Sequence, residues 1–312
     1  MDRFPGPLAA RLEALHAAGL HRALRRPSGF DLSSNDYLGF AADPDLASRA
    51  RDALRGVPGG AGASRLLRGD LELHHECEAA LARFAGREAA VLFPSGYQAN
   101  LALLSSLLRP GDRIFSDALN HASIIDGIRL GRGTKMIYPH ADAAGLEALL
   151  ARHTPPPGSS RFVVTESLFS MDGDRAPLAD LAAVAERHGA HLIVDEAHAT
   201  GLYGGGAGLA REAGIADRVF ASVHTGGKAL GAAGAWVAGD RRLKEYLVNF
   251  ARPFVFSTAV LPALAVLLRE SVAFWADHGP ERAAEVLARA GALRGWLREA
   301  GVETPRPAER AA

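Results

Sequence analysis

Short apolar runs alternate with segments of helical periodicity along most of the chain. The runs are, in chain order, AAVLF, RIFSD, KMIYP, RFVVTE, HLIVDE, RVFASV and AWVAG. Their apolar residues stand at successive positions, which is typical of strands in a sheet covered on both faces. Between several of them lie YQANLALLSSLL, LEALLARH and LADLAAVAERHG, which have the spacing of helices. The pattern predicts an α/β protein whose mainly parallel sheet is covered by helices.

Three further helices are predicted before the first strand. In the segment from Pro7 to Leu24, leucines recur near one helical face. Asp43-Pro44 is typical of an N-cap followed by proline in the first turn, so DPDLASRARDAL is predicted to be helical. The third helix is predicted from about Glu72 to Ala85, closed by Gly86.

The length of 312 residues, 48% of them hydrophobic, suffices for a large domain and a smaller one. We divide the chain into an N-terminal segment (1–38), a large domain (39–270) and a truncated small C-terminal domain (271–312). The 35 lysine and arginine residues balance 35 aspartate and glutamate residues, and no long basic block occurs. These features argue against a nucleic-acid partner.

Cysteine usage and hydropathy predict a cytoplasmic protein. Cys77 is the only cysteine, so a disulfide within the chain is impossible, which fits a reducing compartment. The first residues mix acidic and basic side chains and are not typical of a signal peptide. The longest apolar stretch, from Ala259 to Leu268, is interrupted by Pro262 and is shorter than the roughly 20 residues that span a bilayer. We therefore expect no membrane partner.

Polar residues follow five of the predicted strands directly. These segments are Ser95 to Tyr97, Asp117 to His121, Glu166 to Asp172, Asp195 to His198 and Thr225 to Lys228. In parallel α/β sheets, ligands bind beyond the carboxyl ends of the strands. The functional site is therefore predicted at this edge of the sheet.

Lys228 lies in the small-residue loop HTGGKALG after a predicted buried strand. Desolvation there would lower the pKa of its amine and let the amine attack a carbonyl group. The alternative is a phosphate-binding or surface lysine. A Walker A loop is excluded, because Ala229 follows the lysine and Ser222 stands where that motif requires glycine. GGAGAS and GGGAGL also break the spacing of a dinucleotide fingerprint.

Other residues at this edge are candidates for cofactor contacts. Asp195 ends an apolar run, where a carboxylate is costly unless it faces a cation such as a protonated pyridine nitrogen. The alternative for Asp195 is a helix cap. His198 can bond a phenolic oxygen and His121 can stack on an aromatic ring, or each can be a structural histidine. Gly96-Tyr97 can present N–H groups to a phosphate at a helix N-terminus, or form a plain turn.

His74 and Cys77 share one face of a predicted helix. We reject a metal site there, because structural zinc usually takes four ligands and this pair supplies two. A solvated helix face is the favoured interpretation, and no metal is predicted.

Six stretches carry a resemblance to a known family. They are SSNDYLGF, GAGASRLLRG, SDALNHASIIDGIRLG, SLFSMDGDRAPL, VDEAHATG and HTGGKALG, in that order over nearly the whole chain. Together they resemble the α-oxoamine synthases, pyridoxal-phosphate (PLP) enzymes of fold type I. The resemblance implies that fold, PLP as cofactor and a homodimer. The family has a fuller C-terminal domain than this chain, and in the family a bulky residue is commoner at the position of Gly226.

The resemblance also implies residue roles. Lys228 joins the cofactor as a Schiff base and moves protons at Cα, Asp195 pairs with the pyridine nitrogen, and His121 stacks on the ring and reaches the amino-acid substrate. His198 and Ser170 are implied to contact the cofactor, and Gly96, Tyr97 and Thr225 to hold its phosphate. Thr258 is implied to reach the phosphate in the neighbouring subunit. Arg25 and Asn35 are implied to bind substrate.

The implied reaction joins an amino acid to an acyl thioester with loss of CO2. GASRL and GAAGAWV favour the branch that uses L-alanine and a pimeloyl thioester, of CoA or of acyl carrier protein, to make 8-amino-7-oxononanoate for biotin. The alternatives are the same chemistry on glycine and acetyl-CoA, an aminotransferase, and a non-catalytic partner subunit of the same fold. The presence of the lysine, aspartate and histidine set argues against a non-catalytic partner subunit.

Overall fold

The structure, a computed structural model, describes residues 4–26 and 28–304. It contains two compact units, of which the first ends at Ser34 and the second begins at Asn35. The predicted domain boundaries, after residues 38 and 270, stay predictions. The last residues of the predicted C-terminal domain lie outside the described part of the chain.

Helix α1 (Gly6–Ala17) belongs to the first unit. The prediction of one helix from Pro7 to Leu24 is wrong beyond Ala17. The chain turns at Gly19, whose φ of 67° lies in the left-handed region that glycine adopts without steric cost. The leucine spacing therefore continues past the point where the backbone leaves the helix.

Seven strands of the second unit form one sheet, in the spatial order β1-β7-β6-β5-β4-β2-β3. They are β1 (Ala89–Phe93), β2 (Arg113–Asp117), β3 (Thr134–Tyr138), β4 (Arg161–Glu166), β5 (His191–Asp195), β6 (Val219–Thr225) and β7 (Ala235–Gly239). Strands β2 to β6 are parallel, and β7 runs antiparallel to both β1 and β6. Each strand corresponds to a predicted run, so the prediction of a mainly parallel α/β sheet is confirmed.

The second unit also contains helices α2 to α11. They are α2 (Pro44–Ala53), α3 (Glu72–Ala85), α4 (Gly96–Leu107), α5 (Ala122–Leu130), α6 (Ala143–Arg152), α7 (Leu178–Arg187), α8 (Leu209–Glu212), α9 (Arg241–Phe250), α10 (Arg252–Val255) and α11 (Pro262–Glu299). The predicted N-cap of α2 is confirmed, since the Asp43 carboxylate accepts the N–H groups of Asp45 and Leu46. The sequence pattern does not predict α5, α9 or α11.

Helix α11 is the longest of these helices, with 38 residues. Pro262, which interrupts an apolar stretch in the sequence, stands in its first turn, where the missing N–H costs nothing. The helix packs against α2 and α3 and buries Val266 and Phe274. It is continuous across residue 270, whereas Leu293 and Trp296 near its end are exposed.

Alternate residues of β7 point to opposite faces of the sheet and enter two different cores. Val237 packs in an apolar cluster with Leu103 of α4 and Ile124 of α5, whereas Trp236 packs with Leu81 of α3 on the other face. All five are at most 1% exposed. Full burial of one such aliphatic side chain contributes about 1.5–3 kcal/mol. Covering both faces in this way fixes the positions of the strand ends.

His74 and Cys77 are both buried on α3, so the expectation of a solvated helix face is wrong. The His74 ring is used within the protein: Nδ1 accepts the Leu71 N–H, and Nε2 lies 2.7 Å from the Val260 carbonyl oxygen. Within residues 4–26 and 28–304, no group of three or more metal-binding side chains is placed to hold an ion.

Across the described residues, none of the helices combines the length and the apolar character needed to cross a membrane.

Candidate active site

A cavity of about 150 Å³ lies at the carboxyl edge of the parallel strands. Seven of the predicted residues line it: Gly96, Tyr97, His121, Asp195, His198, Thr225 and Lys228. Four more, which the sequence analysis did not assign, complete the lining: Asn100, Ser123, Glu166 and Ala197. These residues follow β1, β2, β4, β5 and β6, so the sheet brings together positions that are far apart in the sequence.

A larger and more open depression, of about 1080 Å³, lies along α3 and α11. Of the three arginines that line it, Arg83, Arg211 and Arg269, the last is paired with Glu76 and Glu270. The smaller cavity is the better candidate for chemistry, because it holds an amine and buried carboxyl groups in one place.

Asp195 ends β5 and is 6% exposed. Its Oδ2 accepts a hydrogen bond from Asn100 Nδ2 at 2.6 Å, and its Oδ1 accepts the Ala197 N–H at 2.9 Å. Two donors on one buried carboxyl group stabilise its ionised form. Asp195 therefore provides a fixed negative charge on the wall of the cavity.

Lys228 lies in the loop between β6 and β7 and is half-buried. Burial lowers the pKa of its amine, although the nearby carboxyl groups of Asp195 and Glu166 oppose this. In the described part of the chain, no side chain forms a hydrogen bond or an ion pair with this amine. A partly desolvated amine without a partner is suited to nucleophilic and acid–base chemistry.

The loop of Lys228 is closely packed at Gly226. A Cβ atom at this position would lie 2.4 Å from a Leu268 side-chain carbon and 2.8 Å from the Ala233 carbonyl oxygen. Glycine therefore allows β6, α11 and the lysine loop to approach each other. This contact gives a physical reason for the departure from the bulky residue that is commoner in the family.

His121 is held in place at the N-terminus of α5. Its backbone N–H donates to Glu166 Oε1 at 2.6 Å, and its Nδ1 accepts the Ser123 N–H at 3.2 Å. With Nδ1 as an acceptor, the neutral ring carries its hydrogen on Nε2. The ring itself is exposed, so a face remains available for stacking.

His198 is linked to the predicted substrate residue Asn35 through Tyr37. The Tyr37 hydroxyl lies 2.7 Å from His198 Nδ1 and 3.2 Å from Asn35 Oδ1. Burial lowers the pKa of His198 to about 4, helped by the charges of Lys228 and His121. The ring is therefore neutral at neutral pH, and Tyr37 fixes its orientation.

The other end of the cavity has the features of a phosphate site. Gly96 and Tyr97 supply the first N–H groups of α4, which have no acceptor within the helix. Thr225 lies beside them, since a Cβ atom on Gly96 would be 3.9 Å from that of Thr225. The Thr225 hydroxyl donates to the Gly234 carbonyl oxygen at 3.1 Å. The Tyr97 hydroxyl donates to the Asp126 carboxylate of α5.

Four predicted site residues do not line the cavity, and one of them, Asn35, is connected to His198 only through Tyr37. Ser170 is exposed in the loop after β4, and Thr258 is exposed between α10 and α11. Arg25 belongs to the first unit and is exposed there. Their predicted roles stay predictions.

His140 ties the loop that carries Ser170 to the end of β2. Its Nδ1 lies 2.9 Å from Asp117 Oδ1, and its Nε2 lies 2.7 Å from Asp174 Oδ2. Burial lowers the pKa of His140, but the hydrogen bonds to the two carboxylates outweigh burial and raise it above its ordinary value. The protonated ring donates to both carboxylates at once.

This arrangement predicts a pH-dependent contribution to stability. Because the folded pKa of His140 is raised, the contribution is complete below about pH 6.5 and is lost as the pH rises through the folded pKa. At about pH 6, His140→Asn should lower the free energy of unfolding by about 1 kcal/mol. Urea unfolding of both proteins between about pH 6 and pH 9 measures the difference, which should shrink with pH. A difference that grows with pH contradicts the prediction.

Tyr37 and Glu166, to which the sequence analysis assigned no role, both lay within sequence features that it recognised. Tyr37 belongs to SSNDYLGF, and Glu166 directly ends the strand run RFVVTE. Ser123 likewise belongs to SDALNHASIIDGIRLG. Asn100 carried no such signal, since it lies within a mostly apolar helix, and only its hydrogen bonds in the folded chain reveal it.

Residues 27–309 match the family model described as aminotransferase class I and II. The chain belongs to this family. This match confirms the predicted fold type and the family resemblance of the sequence.

A relative named 8-amino-7-oxononanoate synthase, from Anaeromyxobacter sp. (strain K), is 47% identical over 96% of the chain and 78% of the relative. Serine palmitoyltransferase from Sphingomonas wittichii is 34% identical, with a TM-score of 0.83 over 94% of the chain and 77% of that protein. A serine palmitoyltransferase variant from S. paucimobilis, solved with a bound PLP–myriocin aldimine, is 30% identical, with a TM-score of 0.85 over 94% and 80%. The two solved structures share the fold of this chain, and the named relative shares nearly half of its sequence.

Proposed function

We propose that this protein is a PLP-dependent 8-amino-7-oxononanoate synthase of biotin biosynthesis. It condenses L-alanine with a pimeloyl thioester and releases CO2 and the free thiol carrier. The observation that carries the proposal is the meeting, in one cavity, of the unpartnered amine of Lys228 and the buried carboxylate of Asp195. The 47% identical relative bears the name of this enzyme.

The residues present fit PLP. The Asp195 carboxylate suits a cationic ring nitrogen, and Lys228 can hold the aldehyde covalently. The first N–H groups of α4 and Thr225 suit the phosphate. The buried Oδ1 atom of Asn100 has no hydrogen-bond partner among the described residues, and a bound ligand with a donor group would satisfy it. When bound, PLP supplies an electron sink for negative charge at the substrate Cα.

The chain's own groups then have separate tasks. The Lys228 amine, whose pKa is lowered, takes the proton from Cα of the amino acid and returns it after CO2 is lost. The Asp195 carboxylate keeps a proton on the ring nitrogen by charge complementarity. His121 presents a fixed ring face, and His198 with Tyr37 offers a neutral hydrogen-bonding group to the phenolic oxygen.

The remaining predicted contacts are part of the proposal. Asn35, bonded to Tyr37, and Arg25 bind the substrates, and Ser170 contacts the cofactor. We also propose a cytoplasmic homodimer, in which the exposed Thr258 reaches the phosphate of the neighbouring subunit. The thiol carrier is CoA or acyl carrier protein.

Product analysis tests the proposal. The PLP-loaded protein is incubated with L-alanine and pimeloyl-CoA or pimeloyl-acyl carrier protein, and the products are identified by mass spectrometry. We expect 8-amino-7-oxononanoate and CO2 in equal amounts. The value of kcat/KM should exceed that for glycine with acetyl-CoA, or for L-serine with palmitoyl-CoA, by at least about tenfold. Preference for another pair, or amine exchange with a keto acid without CO2, would overturn the proposal.

A further inference from the structure

Glu166 and Asp195 form a pair of buried carboxyl groups side by side. They end the neighbouring parallel strands β4 and β5 and are partners in the strand register. Glu166 is 4% exposed and Asp195 is 6% exposed, and both line the cavity with Lys228. Two buried carboxylates this close repel each other, so ionising both is unfavourable and the pair tends to keep one proton.

The hydrogen bonds decide which member keeps the proton. Asp195 accepts one donor on each oxygen, from Asn100 and from the Ala197 N–H. Glu166 accepts only the His121 N–H, on Oε1, and its other oxygen has no hydrogen bond with any described residue. Because donors stabilise the ionised form, the negative charge belongs on Asp195 and the proton on Glu166.

The surrounding charges agree with this assignment. The pKa of Glu166 is raised to about 8, first by burial and then by the charges of Asp195 and of Asp117 on β2. The His121 N–H and the Lys228 amine act in the opposite direction. His198, which lines the same cavity, is neutral at this pH because its pKa is about 4.

A second buried acid, Glu196, lies next in the chain, and the charge of Asp195 acts on it as well. Glu196 accepts hydrogen bonds from the Ser167 hydroxyl and from the N–H groups of Leu209 and Ala210. Burial raises its pKa to about 7. Any measurement of protonated carboxyl groups must therefore separate Glu166 from Glu196.

We propose that Glu166 is a positioning residue: as a neutral acid it holds His121 through the backbone N–H and leaves Asp195 as the single negative charge of the pair. One consequence is that the ring nitrogen of the cofactor faces one defined carboxylate. A second is that the Lys228 amine has no ionised glutamate as a competing partner. The cofactor part of this inference rests on the proposed function, whereas the location of the proton does not.

Infrared titration of the full chain locates the proton without any cofactor. The carbonyl stretch of a protonated carboxyl group is separate from that of a carboxylate, so its loss can be followed with pH. Wild-type protein should show a midpoint near pH 8 that disappears in Glu166→Gln, which keeps the acceptor for the His121 N–H. Asp195→Asn is the matched change on the neighbour. It should leave the Glu166 band but move its midpoint down by about one pH unit or more, because the repelling charge is gone.

Absorbance of the PLP-loaded protein tests the part of the inference that concerns the cofactor. The cofactor spectrum of the wild type should change between about pH 7 and pH 9, as a new negative charge appears beside it, and this change should vanish in Glu166→Gln. A midpoint near pH 7 that remains in Glu166→Gln belongs to Glu196. A midpoint near pH 8 that persists in this variant, or a Glu166 already ionised at pH 7, overturns the inference. A wild type that shows no bound cofactor overturns the proposed function instead, while the infrared result still decides the location of the proton.

Discussion

Lys228→Ala is expected to lower the rate of product formation by about 10⁴-fold, the largest effect of any single change in the cavity. The substitution removes both the amine that holds the cofactor and the group that moves the Cα proton. The half-buried side chain forms no hydrogen bond or ion pair with the described residues, so its loss should leave the fold intact. Single-turnover kinetics with L-alanine and a pimeloyl thioester measure the effect.

The chain offers a sharp control for this prediction, because it contains three lysines, Lys135, Lys228 and Lys244. Borohydride reduction of the PLP-loaded protein, followed by peptide mass mapping, should place the cofactor on Lys228 alone. Lys135 is exposed on β3 and Lys244 is paired with Glu78. Lys135→Ala should change the rate by less than about twofold, as expected for a solvated surface residue. Label on Lys135 or Lys244 would contradict the assignment.

Glu78→Ala is expected to lower the free energy of unfolding by about 3–5 kcal/mol. Glu78 is 2% exposed on α3 and accepts hydrogen bonds from Arg65 at 3.0 Å, from Lys244 at 2.7 Å and from the Leu92 N–H at 3.0 Å. Removing its carboxylate leaves the Arg65 guanidinium, whose side chain is 8% exposed, without its buried partner. The midpoint of urea unfolding measures the loss, provided that the slope is unchanged.

Glu88→Ala is the matched control for that experiment. Glu88 forms an ion pair with Arg241 at 2.9 Å, but the side chains are 50% and 81% exposed. Its removal should cost no more than about 1 kcal/mol, because solvent screens the pair. Equal losses in the two variants would show that burial of Glu78 contributes nothing.

The Glu78 network also predicts loss of stability in acid. Burial raises the pKa of Glu78, but Arg65 and Lys244 outweigh burial and lower it below its ordinary value. A lowered folded pKa gives stability that is present above the unfolded pKa of about 4.3 and is lost as the pH falls through the folded pKa. The difference in stability between the wild type and Glu78→Ala should therefore shrink in strong acid.

Local periodicity was enough to locate the strands and the residues at their ends. The run HLIVDE ends at Asp195 in both the pattern and the structure, and HTGGKALG places Lys228 just after β6. These predictions succeed because a doubly covered strand must be apolar along its whole length, whereas its end meets the ligand. The sequence pattern does not predict helix α11, because its apolar residues follow no single stripe over 38 residues and Pro280 lies inside it.

By itself, the sequence determined the kind of sheet, the edge that carries the site and the two groups, an amine and an acid, on which the chemistry depends. The tertiary structure decided their partners. Asn100 bonds Asp195 across 95 residues, and Tyr37 reaches His198 across 161. Glu166 became part of the site because β4 lies beside β5, which places its carboxyl group against Asp195. The order of strands depends on packing between distant segments, which the local spacing of residues does not predict.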